Sequence, residues 1–275
     1  MRIPLPLSYS LTLERKAKPG LARQPRNIRL ELYRSAITAL RRNREKLSVV
    51  IVGANDGRTN DPFYEAYGEH NAPDLRVFLV EPQPAMLALA KDAYANAEVC
   101  IGYNGLIGEK GEATLYCIRE AYWAQMQPSY AAGWPIYRAA TGVASANASE
   151  VLSWIQTCFP NFPDPEQAIE AIPTTSMPLK TVLKDLNFGD QVDILQVDAE
   201  GNDDRVLRAS CSPTLRPAIV FYESKSLPPD RKADSEAFLS SLGYFQIDVG
   251  GDSICFCGDR FSEQFKELGL DRGRE

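Results

Sequence analysis

The chain has 275 residues, 44% of them hydrophobic and 24% charged, with a formal net charge of −6. That balance excludes wholesale disorder and fibrous repeats, and a chain this long can bury a core without covalent staples. No apolar run approaches the roughly 18 residues of a membrane span, and the opening MRIPLPLSYSLTLERK lacks a compact apolar signal region. The expectation is a cytoplasmic protein.

A single histidine, His70, cannot supply a multi-histidine metal site, and the six cysteines contain no C-x-x-C pair. Scattered thiols suit a reducing compartment. Charge is uneven along the chain: residues 1–46 carry 12 basic and 3 acidic side chains, the remainder 18 and 33. Such a basic arm either touches an anionic partner or docks on the acidic remainder. Pro4, Pro6, Pro19 and Gly20 predict irregular chain at the start. Beyond it, Leu32, Ala36, Ala39 and Leu40 recur at helical spacing. One apolar stripe needs a covering surface, so docking is preferred.

From Ser48 the pattern alternates between strands and helices. Ser48–Val52 and Arg76–Val80 are β-branched or apolar runs without polar alternation, as expected of strands buried on both faces. A helix follows with Ala85, Leu87, Leu89, Ala90 and Ala93 at its apolar positions. A third strand begins at Glu98–Ile101, and Ala113–Ile118 reads as an added strand after the Gly108–Gly111 turn. Val192–Val197 and Ala218–Tyr222 are further parallel strands. Tyr244–Val249 and Ser253–Cys257 flank Gly250-Gly251-Asp252 as a hairpin. Within it Cys255 and Cys257 share one strand face, which fits core filling better than redox chemistry. Together these predict an open α/β sheet, mainly parallel, with an antiparallel edge.

Residues 119–175 interrupt this rhythm and hold all three tryptophans, Trp123, Trp134 and Trp154. An aromatic-rich insertion there is either a cap over a ligand cleft or a satellite layer with its own core, and the two are compatible. The chain is thus divided into an arm and helix (1–47), one domain with this insertion (48–258), and a tail (259–275).

Three carboxylate-bearing loops, at 53–57, 81 and 198–203, fall at the carboxyl ends of predicted parallel strands. Open α/β sheets bind ligands at that edge. In Gly53-Ala54-Asn55-Asp56-Gly57 the glycines let backbone approach a ligand without a Cβ clash, and a helix start behind them favours anionic groups. The spacing is not the G-x-G-x-x-G of pyrophosphate binders. Glu81, 24 residues beyond Gly57, can accept both hydroxyls of a ribose. Asp56 would repel a pyrophosphate but can hold a ligand ammonium. The ordered combination predicts a pocket for a cationic nucleoside.

These motifs resemble those of a known family. Val52-Gly53-Ala54-Asn55-Asp56-Gly57, Val80-Glu81-Pro82-Gln83-Pro84 and Val197-Asp198-Ala199-Glu200-Gly201-Asn202-Asp203 resemble, in order, successive motifs of the FkbM-type methyltransferases. Asn104 through Tyr116 is similar to the family's third-strand segment, and Gly243 through Cys257 fits its closing hairpin. The resemblance spans about residues 48–257. It implies a class I methyltransferase (Rossmann-like) fold, a seven-stranded sheet with its last strand antiparallel. It also implies S-adenosylmethionine as cofactor, held by Gly53, Ala54, Asn55, Asp56, Gly57, Glu81, Asn104 and Asp198, with S-adenosylhomocysteine as product. The implied reaction is O-methylation of a small molecule, sugar or natural product. Met177-Pro178-Leu179-Lys180 stands where many relatives carry a T-L-D-like segment, and the insertion diverges, so the acceptor's identity does not transfer.

Asp198 is the first candidate base for an acceptor hydroxyl and Glu200 the second; as neighbours of like charge, one would have its pKa raised. The structural alternative has Asp198 capping the next helix while Glu200-Gly201 shapes the turn. Asp198, Glu200 and Asp203 offer hard oxygen ligands for Mg²⁺, a lesser reading. His70 reads more simply as a solvated loop residue than as a base, and Glu223 as either an acceptor-site wall or a loop anchor. Two other functions stay open: a non-catalytic adenosylmethionine-binding partner protein, and a nicotinamide-dependent reductase, which would want the missing pyrophosphate loop. No N/D-P-P-Y/F/W motif of nucleic-acid amine methyltransferases occurs, so the expected partner is a small-molecule or glycan acceptor and not a nucleic acid.

Overall fold

The computed structural model describes residues 25–42, 44–67 and 73–257. The basic start of the arm, His70 and the C-terminal tail lie outside the described residues. Helix α1 (Pro25–Arg41) leads into β1 (Leu47–Val52), α2 (Pro62–Tyr67), β2 (Leu75–Val80), α3 (Pro84–Ala93) and β3 (Val99–Tyr103). Strands β4 (Leu106–Ile107) and β5 (Gly111–Ile118) precede the insertion, which holds α4 (Arg138–Thr141) and α5 (Ala148–Cys158). Strand β6 (Ile169–Met177) closes it, and α6 (Leu179–Asp185), β7 (Ile194–Val197), α7 (Asp203–Ser210) and β8 (Ile219–Glu223) follow. Helix α8 (Pro229–Ser241) and the hairpin β9 (Tyr244–Val249) and β10 (Asp252–Cys257) complete the fold.

Seven strands form one sheet in the order β3-β2-β1-β7-β8-β10-β9. All pairs among the first five are parallel, and β10 inserts antiparallel between β8 and β9. This is a Rossmann-like methyltransferase sheet. The chain leaves β1 towards β2 on one side and returns to β7 on the other. That reversal opens a crevice at the carboxyl ends of β1 and β7, where doubly wound sheets take ligands.

The uninterrupted apolar strands follow from burial on both faces. Val49 and Ile51 of β1 enter one core with α1, α2 and α3, whereas Val50 and Val52 enter a second with α6 and α7. Cys255 and Cys257 fill that second core. Helix α1 docks as its stripe requires, burying Leu32, Ala36, Ala39 and Leu40 together with Tyr33 and Ile37. Its charged face also reaches the body of the protein: Arg29 pairs with Asp252 of β10, and just beyond the helix Arg44 holds Asp193 at 2.9 Å.

The added strand at 113–118 belongs to a separate three-stranded sheet, β4-β6-β5, with β5 and β6 antiparallel. Strand β6 was not expected. Its exposure alternates from Glu170 to Ser176, but Pro173 and the mostly polar residues there give no buried run and no matching alternation of hydropathy. The insertion builds a satellite core from Met126, Ala140, Val151, Ile155 and Ala168, with Trp123, Trp154 and Phe162 packed against it. No helix among the described residues is long and apolar enough to cross a membrane.

Tyr33 tests the docking of α1. Its ring is fully buried and stacks on Phe221 at 4.8 Å, while its hydroxyl is buried without a partner. Tyr33→Ala should cost about 3–5 kcal/mol in urea denaturation, as for other large-to-small core changes. Tyr33→Phe removes only the unsatisfied hydroxyl and should be neutral or stabilising. A loss above about 1 kcal/mol in Tyr33→Phe would show that the hydroxyl has a partner.

Candidate active site

A cavity of about 760 Å³ opens at the carboxyl ends of β1, β2 and β7, within the usual range for small-molecule sites. Its floor is the switch point itself. Gly53 donates to Val80 and Asp198 donates to Val52, so the chains leaving β1 and β7 run against each other. Gly53 has φ +78°, and a Cβ there would collide with the Asp198 carbonyl oxygen. Only glycine fits at this crossing.

Glu81 ends β2 and is 3% exposed. Its Oε2 accepts from the Asn55 backbone at 2.8 Å and its Oε1 from the Gln83 backbone at 2.9 Å. Burial pushes its pKa up, against those hydrogen bonds and the nearby Arg138 charge. Asn55 is held at φ +45°, and its side chain meets the Thr141 hydroxyl. Gln83 reaches the Thr141 carbonyl at 3.0 Å. The insertion therefore clamps both loops through one residue, Thr141. Ser145 does the same at the third loop, where it contacts the Glu200 carbonyl and accepts from Asn202 at 3.1 Å.

Asp198 lines the cavity, with partial exposure to it, while its Oδ1 is buried without a partner. Burial first, then the charges of Glu223 and Asp252, push its pKa up to about 7, against Arg138 and Lys225. Glu200 also lines the cavity; burial and then Asp198 hold its carboxyl well above the usual range. It sits at φ +44°, a conformation that costs free energy and is characteristic of functional loops. Asp203 starts α7 fully buried, its Oδ1 accepting from Ala199. Glu223 is bound to Lys225 at 2.6 Å and to Ser226, which makes it a loop anchor. Among the described residues no three His, Cys, Asp or Glu side chains are grouped to hold a metal ion.

Of the residues expected to hold a cofactor, Gly53, Asn55, Glu81 and Asp198 line the cavity; Ala54, Asp56, Gly57 and Asn104 stand behind its wall. Asp56 is spent on the loop, accepting from Arg58, Thr59 and Tyr137. Gly57 turns against Ala90 of α3, and Asn104 donates to the carbonyls of Glu81 and Pro82. The tryptophans of the insertion are absent from the lining. They pack elsewhere, Trp123 bonding to Ile118 and Trp154 to Tyr130. The insertion instead presents Arg138, Thr141, Gly142, Ala144, Ser145 and Ala146. Sequence reasoning missed these residues, drawn to the aromatics. The run of small residues at 141–146 was the available sign of close backbone approach.

The raised pKa of Asp198 makes a stability prediction. A carboxyl whose folded pKa exceeds its unfolded value disfavours folding once ionised, so stability is lost as pH climbs from about 4 through about 7. Asp198→Asn removes that titration. Its stability relative to wild type should be more favourable at pH 8 than at pH 5 by at least about 1 kcal/mol. Equal differences at the two pH values in denaturant titrations would contradict the assignment.

Comparison with known proteins agrees with the sheet and the switch-point cavity. No curated protein matches the chain. The family described as the methyltransferase FkbM domain matches residues 52–246, more than two-thirds of the chain, from the last residue of β1 into β9. A match of that extent, on a sheet of this strand order, places the chain in the FkbM-type methyltransferase family.

Proposed function

We propose that the protein is an S-adenosylmethionine-dependent methyltransferase that methylates a hydroxyl of a small molecule, sugar or natural product. The observation that carries this reading is the buried Glu81 carboxylate on the cavity wall at the end of β2, beside a glycine turn with no diphosphate cradle. The donor set fits a cationic nucleoside. Glu81 is placed for a ribose, the Gly53 turn brings backbone to the ligand, and Asp198 lines the same cavity at the end of β7.

Adenosylmethionine, when bound, supplies an electrophilic methyl group on a sulfonium. The chain's contribution is position and proton transfer. Holding two reactants in line can supply up to about 7–11 kcal/mol. Asp198 then serves as the base for the acceptor hydroxyl, since a carboxyl poised near neutral pH accepts a proton more readily than an ordinary aspartate. Glu200 stands beside it on the same loop, and the Asp198 charge opposes ionisation of Glu200. A dry apolar wall of Leu106, Ile107, Leu115 and Val206 lines part of the remaining cavity and suits an acceptor's carbon skeleton.

Calorimetry with adenosylhomocysteine and with NAD tests the cofactor. Adenosylhomocysteine should bind and NAD should not, and Glu81→Ala should weaken binding by roughly 1.5–3 kcal/mol. Preferential NAD binding, or wild-type affinity in the variant, defeats the reading. With a panel of hydroxyl acceptors, Asp198→Asn should lower turnover about 10²–10⁴-fold while changing adenosylhomocysteine affinity little. Full turnover in that variant removes Asp198 as the base.

A further inference from the structure

Arg138 is the one cation that the insertion places against the cavity among the described residues, and its bonding is incomplete. The residue is 9% exposed. Its Nε donates to the Thr59 carbonyl at 3.0 Å and lies 3.9 Å from Asp56 Oδ1. Its guanidinium stands over the Trp134 ring, 5.6 Å from the centroid. On another side, Gly142 leaves it room: a Cβ there would collide with Nη1, although the backbone of Gly142 is ordinary helix. These contacts fix the plane of the guanidinium and account for Nε alone. Neither terminal amino group has a hydrogen-bond partner among the described residues.

A nine-tenths buried guanidinium normally fills its fork, because an unpaired buried cation is costly. Asp56 does not fill it. That carboxylate is already taken by Arg58, Thr59 and Tyr137. Glu81 does not fill it either, since both its oxygens face the Asn55 and Gln83 amides. The unpaired edge lies on the cavity wall, beside the loop that follows β1. A planar fork with two free amino groups matches the two oxygens of a carboxylate.

We infer that the Arg138 fork, held by Thr59, Trp134 and Gly142, binds a carboxylate inside the cavity, and that this is the α-carboxylate of the methyl donor's amino-acid portion. The placement favours the donor over an acidic acceptor, because Arg138 is anchored on the β1 loop that also carries Asn55 to Glu81. The inference rests on the adenosylmethionine reading and extends it to a residue of the insertion. Trp134 does not line the cavity and supports this guanidinium from behind.

The test compares adenosylmethionine with its decarboxylated analogue by calorimetry. The two differ by the carboxylate alone. Wild-type protein should prefer adenosylmethionine by roughly 10- to 100-fold. Arg138→Met should abolish that preference, weakening adenosylmethionine while leaving the analogue nearly unchanged. Gly142→Ala, which keeps the charge and displaces the fork, should reduce the preference too. Equal wild-type affinity for the two ligands overturns the inference without any variant, so a misfolded Arg138→Met cannot shelter it. Equal weakening of both ligands in Arg138→Met assigns the residue to loop structure and also overturns it. Unchanged donor binding with a raised KM for an acidic acceptor would transfer the carboxylate to the acceptor. Should neither ligand bind wild-type protein, the adenosylmethionine reading itself fails, a result distinct from equal binding of both.

Discussion

The Glu81 carboxylate joins the parts of the site that differ most in sequence position. One oxygen takes the Asn55 amide of the β1 loop, the other the Gln83 amide that begins α3. Both partners also meet Thr141 of the insertion. Because the group is buried, each of these bonds matters more than a surface contact, and losing one strands a charge in a poorly solvated place. The positive φ of Asn55, the wide turn from Gly53 to Gly57 and the approach of α4 are all consistent with this single anchoring point.

A second constraint is charge. Asp198, Glu200, Asp203, Glu223 and Asp252 converge where β7, β8 and β10 meet the cavity edge, and burial, with repulsion from Glu223 and other acids of the group, raises the pKa values of Asp198, Glu200, Asp203 and Asp252. The cations that offset them come from distant segments: Arg29 from α1, Lys225 from the loop after β8, and Arg138 from the insertion. The basic arm noted in the sequence thus reaches the acidic domain at several points, Arg29 on Asp252, Arg41 on Asp74 and Arg44 on Asp193 among them. Its helix is part of the fold, covering the sheet face and pairing with the β10 carboxylate. An excess of negative charge is left at the cavity, a field suited to a cationic ligand and to a base that accepts a proton near neutral pH.

The strands and their order of appearance were legible because both faces of the sheet are buried, which gives short β-branched runs bounded by glycine and acidic turns. The hairpin was legible from Gly250-Gly251, and the docking of α1 from one apolar stripe. What escaped was local and long-range at once. Strand β6 is half-exposed and pairs with a strand some fifty residues earlier, so its hydropathy shows neither period. Arg138, Thr141 and Ser145 reach the site through hydrogen bonds made across the fold, and no spacing in the chain announces such bonds. Asp56 misled for a similar reason. An acid in a glycine turn looks free to meet a ligand, yet its oxygens are consumed by Arg58, Thr59 and Tyr137. The tryptophans drew attention by their size, yet Trp123 and Trp154 serve the insertion's own core and Trp134 backs the Arg138 guanidinium.

The central claim is that the β1, β2 and β7 loops and the insertion form one donor-binding unit. Amide hydrogen exchange of the intact chain, with and without saturating adenosylhomocysteine, tests it most directly. The account predicts added protection in four segments together, 53–57, 81–84, 138–146 and 198–202, with α1 and the β9–β10 hairpin unchanged. Protection confined to the first two segments, with 138–146 exchanging as in the free protein, would contradict it.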